Sequence, residues 1–437
     1  MAVDFSLLPK EVAIPEDPPS RLFWGVTFIL MAIGFGVAVL LLWPEHLPTN
    51  TWRFWISLIF FPSGVAGLAV LRRYAIYEGH RLDVLMRNEA VRDYNAGIFE
   101  VAVHPLAIVC TAYRFSADRT ENATQSIQSG TVRLESQNPV FSESDPIQAR
   151  WLLVPGVELK TGARRDDETR HMKVVHWLFL ELLEELAESL ASLPSPTDLG
   201  VHVWVSGGSP RKDYLELWRK CWAERRLRRM HVIDDANPVN LGAVDSWLDQ
   251  LAAGRECEAR LFVTIQLYPL LSETPPVGAA EAGVAVLLMP RDQATRNEVA
   301  CEGNLHRPVQ GAPDQLDGAI CRALQWGGIA ASQIGGGWQT GLGSAQTGVL
   351  RATALKLELS VKPTDLDQTV GHAGIAAPWL AVACGAKSLS ATAPNQILFC
   401  GRLESVDAAI VRRVEDGMEL GSNLLESLAP SAETYLI

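Results

Sequence analysis

The sequence predicts an α/β fold class, with an N-terminal transmembrane helical hairpin followed by a layered α/β domain. Three observations lead there. Two runs, Leu22–Trp43 and Phe54–Leu71, contain no charged residue, and each is long enough to cross a bilayer at about 20 residues per span. From about residue 169 onward, helical and strand patterns alternate, which argues for helices layered on a sheet. The 437 residues, 48% hydrophobic and 20% charged, can bury one large or two ordinary cores and fit neither a disordered nor a fibrous chain.

Residues 1–21 are polar and rich in proline (Pro9, Pro15, Pro18, Pro19), and read as a short disordered tail without the basic segment of a signal peptide. The hairpin occupies 22–71. Trp24 and Trp43 mark the ends of the first run, and Trp52 and Trp55 open the second, as interfacial aromatics do. Gly64 and Gly67 flatten one face of the second run for packing on the first, and Pro62 is a site for a kink. A helical hairpin buried in a soluble core is the competing reading, and the tryptophan belts speak against it. The turn at 44–50 has no Lys or Arg. Arg72, Arg73, Arg81 and Arg87 follow the second run, and Lys10 and Arg21 precede the first. The positive-inside rule then places both ends in the cytoplasm of a bacterial inner membrane, and with them the rest of the chain.

Residues 72–97 continue as a polar juxtamembrane helix with mixed charges at Glu78, Arg81, Asp83 and Arg87. The domain then runs over 98–437. Ile98–Val103 and Leu106–Tyr113 read as strands, and 119–148 as a polar stretch with a weak strand and a long loop. A helix is expected over 169–193, with Val174, Leu178, Leu182, Leu183 and Leu186 on one side and Pro194 and Pro196 ending it. Strand 200–206, helix 212–229, helix 245–253, strand 259–267 and strand 284–289 follow. Arg225, Arg226, Arg228 and Arg229 read as the solvated face of the helix at 212–229.

A formal charge of −12 and the lack of a basic stripe exclude a nucleic-acid surface. Seven cysteines without paired spacing exclude a zinc site or disulfide framework and fit a reducing compartment. His171 and His176, five apart on a helix, lack ligand spacing, so no metal is expected. Gly335–Gly343 lacks the Gly-Lys-Ser/Thr of a phosphate loop, Ser206-Gly-Gly-Ser is not a nucleophile elbow, and no cofactor is expected.

The chemistry-bearing stretch is 365–387. Gly371-His372 precedes a helix starting near Gly374, built of small residues that let it pack against another backbone. A histidine ahead of a helix N-terminus faces free N–H groups, which favours the neutral imidazole, able to polarise a carbonyl. The plainer reading is a turn histidine before a buried helix.

The same stretch resembles the second-histidine motif of β-ketoacyl synthases, in the thiolase-like superfamily. Leu248–Cys257 before the strand at 259 is similar to the helix and turn after the ketosynthase nucleophile. Gly278–Leu288 resembles the strand closing the first half, Asp317–Gly328 the helix opening the second, and Gly335–Ser344 the first-histidine loop. The resemblance implies a thiolase-like domain, and by analogy a homodimer. It also implies a nucleophilic cysteine near Asn237 or Pro238, where none stands, a first histidine near Gly336, and a lysine where Asp365 and Asp367 lie. His372 alone is kept, as a vestigial catalytic residue. The expectation is a non-catalytic scaffold or adaptor on the cytoplasmic face of the membrane. Its layout is similar to accessory proteins of bacterial type VI secretion, with the bilayer as partner through 22–71. The alternative is a membrane-tethered acyltransferase or ketosynthase-like enzyme with a displaced nucleophile, Cys257 or Cys384. Cys384 lies about 18 Å along the helix from His372 at 1.5 Å per residue, too far to pair with it.

Overall fold

The structure, a computed structural model, describes residues 8–14, 18–44, 47–142, 145–195, 197–234, 237–252, 258–359, 361–402 and 404–414. It divides into two compact units, with the boundary between Glu100 and Val101.

The first unit is the hairpin. Helix α1 (Arg21–Leu42) starts where the Ser20 hydroxyl accepts the Phe23 N–H, and α2 spans Trp52–Ala102. Both helices are long and apolar enough to cross a membrane. Leu22, Leu41 and Leu42 are about four-fifths exposed, and Phe60 and Leu68 about 70%, the surface that hydrocarbon would cover and water would not tolerate. The turn is pinned by the Trp43 ring, edge-on to Phe54 at 5.0 Å, with its indole N–H on the Leu47 carbonyl. Gly67 lies beside Phe28 of α1 and its neighbour Ala66 is fully buried; Gly64, expected at this contact, faces open space.

Two expectations fail in this unit. The strand at 98–103 is helical to Ala102, because a six-residue apolar run fits either period and nothing breaks the helix before Pro105. Span and juxtamembrane helix are therefore one element. Of the tail expected to be disordered, the described residues Pro9, Glu11, Val12 and Pro19 are hydrogen-bonded to α2.

In the second unit, β1 (Leu106–Arg114) is followed by α3 (Thr124–Gln128) and a short pair, β2 (Ser136–Gln137) and β3 (Ile147–Gln148). Asn122 staples the loop after β1. Its oxygen accepts the N–H groups of Phe115 and Ser116, and its amide donates to the carbonyls of Ser116 and Asp118. Next come α4 (Arg164–Ser192), β4 (Asp198–Ser206), α5 (Arg211–Glu224), β5 (His231–Val232), α6 (Leu241–Ala252), β6 (Glu258–Gln266) and β7 (Ala282–Pro290). The chain continues through α7 (Arg291–Arg296), β8 (Gly303–Leu305), β9 (Val309–Gly311), α8 (Leu316–Gly327), β10 (Gly336–Thr340) and α9 (Ser344–Lys356). It closes with β11 (Thr364–Asp365), α10 (Leu366–Thr369), α11 (Ala377–Lys387), β12 (Asn395–Gly401) and β13 (Val406–Arg412).

Apart from the β2–β3 pair, the strands form one sheet in the order β11-β10-β12-β13-β8-β1-β7-β6-β4-β5, with β9 also on β13. Two halves repeat one plan. β4 is parallel to β5 and β6, β6 is antiparallel to β7, and β7 to β1. Likewise β10 is parallel to β11 and β12, β12 is antiparallel to β13, and β13 to β9. Both faces of the sheet are covered. Along β7, Ala285, Leu287 and Met289 join the core under α4 and α5, while Val284, Val286 and Leu288 join the core around α11.

Helix α11 is buried along its length except at Pro378 and Lys387. It touches strands of both halves of the sheet, β7 and β1 from one and β10, β12 and β13 from the other. That position explains its composition, since a Cβ on Gly385 would already sit 2.9 Å from Leu398. Trp379 is the exception in size. It is fully buried, stacked on Phe262 with ring centres 4.4 Å apart, and its indole N–H donates to the Val239 carbonyl at 2.8 Å.

The helix expected to reach 229 ends at Glu224, and Arg226 adopts a left-handed φ of 52°. The arginines beyond it are therefore not a helix face. The Arg228 guanidinium donates to the carbonyls of Leu193, Pro194 and Thr197, capping the end of α4 with a positive charge.

Candidate functional site

The turn carrying His372 is fixed by backbone before any side chain acts. The His372 N–H donates to the Gly278 carbonyl at 2.8 Å, and the His372 carbonyl accepts from Ala280 at 3.0 Å, which bridges the turn to the segment entering β7. Gly371 has φ of 104°, and a Cβ there would lie 2.8 Å from the Ala280 side chain, so glycine is required.

The two aspartates standing where the resemblance implies a lysine organise the site. Asp365 caps α10, accepting the N–H groups of Asp367 and Gln368, while its other oxygen accepts the Gln339 amide at 2.8 Å. Asp367 accepts the Thr340 hydroxyl at 2.8 Å and the Gly341 N–H at 2.6 Å, and lies 3.4 Å from His372 Nδ1. Its carboxylate ties the end of β10 to the histidine turn.

Asp367 raises the His372 pKa, its hydrogen bond outweighing the opposing effect of burial. The shift runs opposite to the one expected from a helix N-terminus. The regular helix α11 begins five residues later, after a 3-10 turn at Gly374–Ala376, and the helix dipole fades within one turn. His372 is about half exposed, with a side-chain exposure of 47%. A raised folded pKa adds stability that is complete below the unfolded pKa, near 6.5, and fades as pH rises through the folded value. An NMR titration of the His372 ring should therefore give a pKa above 6.5, and Asp367→Asn should lower it. No change in that variant would remove the dyad.

Of the other sequence-derived positions, Asn237 and Pro238 are exposed, and Val239 beside them is held by Trp379. Gly336 is not beside His372. It starts β10 next to Gln396, four residues and about 13 Å along the strand from Thr340. Thr340 and the role of Asp367 were missed; the signal available was Gly341-Leu-Gly343 directly following the threonine. Cys257 lies outside the described residues. Cys384 is fully buried and its thiol is pushed up to about 12 by burial, leaving a negligible thiolate fraction at neutral pH. His171 is a buried strut. The Gly208 N–H donates to its Nδ1, so Nε2 carries the proton that meets the Tyr268 carbonyl. Among the described residues, no group of three or more metal-ligating side chains occurs.

An open cleft of about 540 Å³ lies at the far end of α11, between Tyr113, Arg119, Glu302 and Lys387. Its charged groups pair with side chains in or beside its walls. Arg119 pairs with Glu181, Lys387 lies 3.5 Å from Glu185, and Glu302, pushed up by burial, accepts the Thr111 hydroxyl at 2.6 Å.

Chemically, the Asp367–His372 pair can hold a proton at Nδ1, on a ring that is about half exposed. The Thr340 hydroxyl gives its hydrogen to Asp367 rather than to the imidazole, so it is not an activated nucleophile.

The chain matches no protein-family model and no curated protein. Solved structures do match in fold. One is a β-ketoacyl synthase from Burkholderia phymatum STM815, at 11% identity and a TM-score of 0.50, covering 71% of this chain and 100% of that one. Another is the ishigamide ketosynthase/chain length factor, at 12% identity and a TM-score of 0.50, again covering 71% and 100%. At such identities the likeness is one of fold: a layered α/β domain of the ketosynthase-like kind.

Proposed function

We propose that this chain is a membrane-anchored scaffold or adaptor whose ketosynthase-like domain has exchanged catalysis for structure. The observation that carries this is the saturation of Asp367. A carboxylate bound at once by Thr340, Gly341 and His372 knits two loops together where Claisen chemistry would need a thiolate and two polarising groups. A buried Cys384 thiol, far above neutral pKa, supports the same reading against a displaced nucleophile. If the reading holds, His372→Asn keeps the cellular function, since the imidazole acts by packing and hydrogen bonding. A folded but functionally null His372→Asn would favour the alternative, a tethered acyltransferase.

The membrane in this proposal is the bacterial inner membrane, with both flanks of the hairpin and the domain in the cytoplasm and the domain paired as a homodimer. Support comes from the arginines of α2 that follow its apolar part and from the hydrogen bonds joining the segment before α1 to that later, polar part of α2. A dual phosphatase/fluorophore reporter fused after Arg87 should report cytoplasm, and a periplasmic signal would contradict it. Service to a type VI secretion assembly is the narrowest form of the proposal. It rests on layout alone, and co-purification with that machinery's components is its test.

A further inference from the structure

The polar part of α2 carries one stripe that reads another piece of chain. Tyr74, Asn88 and Asn95 are spaced by fourteen and seven residues, and Arg92 is four beyond Asn88, so all four lie on one side of the helix. The Tyr74 hydroxyl donates to the Pro19 carbonyl at 3.0 Å, and the Asn95 amide donates to the Pro9 carbonyl at 3.3 Å. Asn88, only 3% exposed, does most. Its oxygen accepts the Val12 N–H at 2.9 Å and its amide donates to the Val12 carbonyl at 2.8 Å. This is how an amide side chain completes a strand-like backbone, and it is indifferent to the side chain at Val12. One side chain is read: Glu11, held by two bonds from Arg92 at 2.9 and 3.0 Å.

The spacing shows why the fit works. Seven helical residues from Asn88 to Asn95 rise about 10.5 Å at 1.5 Å each, and the three steps from Val12 to Pro9 cover about 10 Å only in an extended or polyproline conformation. Pro9 fixes its own φ at the start of this stretch, which lowers the entropy cost of ordering it. A bound segment leaves Asn88 with both of its polar groups answered; an absent one would leave them bare on the helix.

We propose that this face of α2 is a peptide-binding surface for an extended, acid-bearing segment, and that its resident occupant is the chain's own segment before α1, seated in cis. Engaged, the strap ties the two flanks of the hairpin together and stiffens the helix leaving the second span. Another chain reaches this face only by displacing it.

The test uses the full-length protein in detergent or nanodiscs, with amide hydrogen exchange read at Val12. Protection in the wild type, lost by tenfold or more in Asn88→Ala with the melting of the second unit unchanged, is the expected result. A Val12 amide that is unprotected in the wild type, or equally protected in Asn88→Ala, overturns the proposal. A Glu11→Cys/Arg92→Cys variant treated with a short bis-maleimide decides between cis and trans, since the Asn88 clamp survives the loss of an exposed ion pair. A link within one chain supports the strap. A link between chains, or none, overturns the cis assignment.

Discussion

Replacing Trp379 by alanine is expected to lower the melting temperature of the second unit by about 10 °C, from a stability loss of about 3–5 kcal/mol. The indole is fully buried, stacks on Phe262 of β6 and satisfies the Val239 carbonyl. One turn on along α11 stand Val382 and Ala383, side chains too short to reach in and fill the void. Loss of the tryptophan therefore costs both the cavity and a buried hydrogen bond. His372→Asn, at a half-exposed site on the same turn–helix unit, should barely move the melting curve. Thermal melts of the two variants side by side check this; equal shifts would mean that α11 is less tightly held than its packing implies.

Glu281→Ala should be of similar size, for an electrostatic reason. Glu281 is completely buried and binds the Arg170 guanidinium with both oxygens, at 2.9 and 2.5 Å. It also accepts the N–H groups of Tyr268 and Leu152 at 3.0 Å. Arg170 is 2% exposed, so removing the carboxylate strands a buried cation at a cost of about 3–5 kcal/mol. Replacing both partners by apolar residues, Arg170→Met with Glu281→Leu, should recover much of that loss. Denaturant melts of the single and double variants measure it, and a double variant no better than Glu281→Ala would show that the two N–H groups, not the charge, set the cost.

How far the sequence reached follows from where the information sits. Uncharged runs and tryptophan flanks define α1 and the start of α2 locally, so the hairpin was legible. So was α11, because a helix of alanines and glycines has few uses except burial between layers. The duplicated strand order was carried only by family likeness, since β5, β8, β9 and β11 have two or three residues each, too few to show a period. The site was half legible. His372 stood out, but Asp367 was read only as a missing lysine. Its bonds to Thr340 and Gly341 span 27 and 26 residues of chain and depend on β10 lying beside α10. The resemblance placed the first histidine near Gly336, which starts β10, because family likeness at this distance does not fix where the strand begins. The left-handed turn at Arg226 and the strap on α2 were hidden for the same reason, being set by partners remote in sequence.

The central claim, that this ketosynthase-like domain has no acyl-accepting nucleophile, is tested most directly by intact mass. The full-length protein, incubated with acyl-CoA or acyl-carrier thioesters and then quenched, should show the unmodified mass alone. A stable acyl adduct on any residue, Cys257 and Cys384 included, would contradict the account and return the chain to the enzymes.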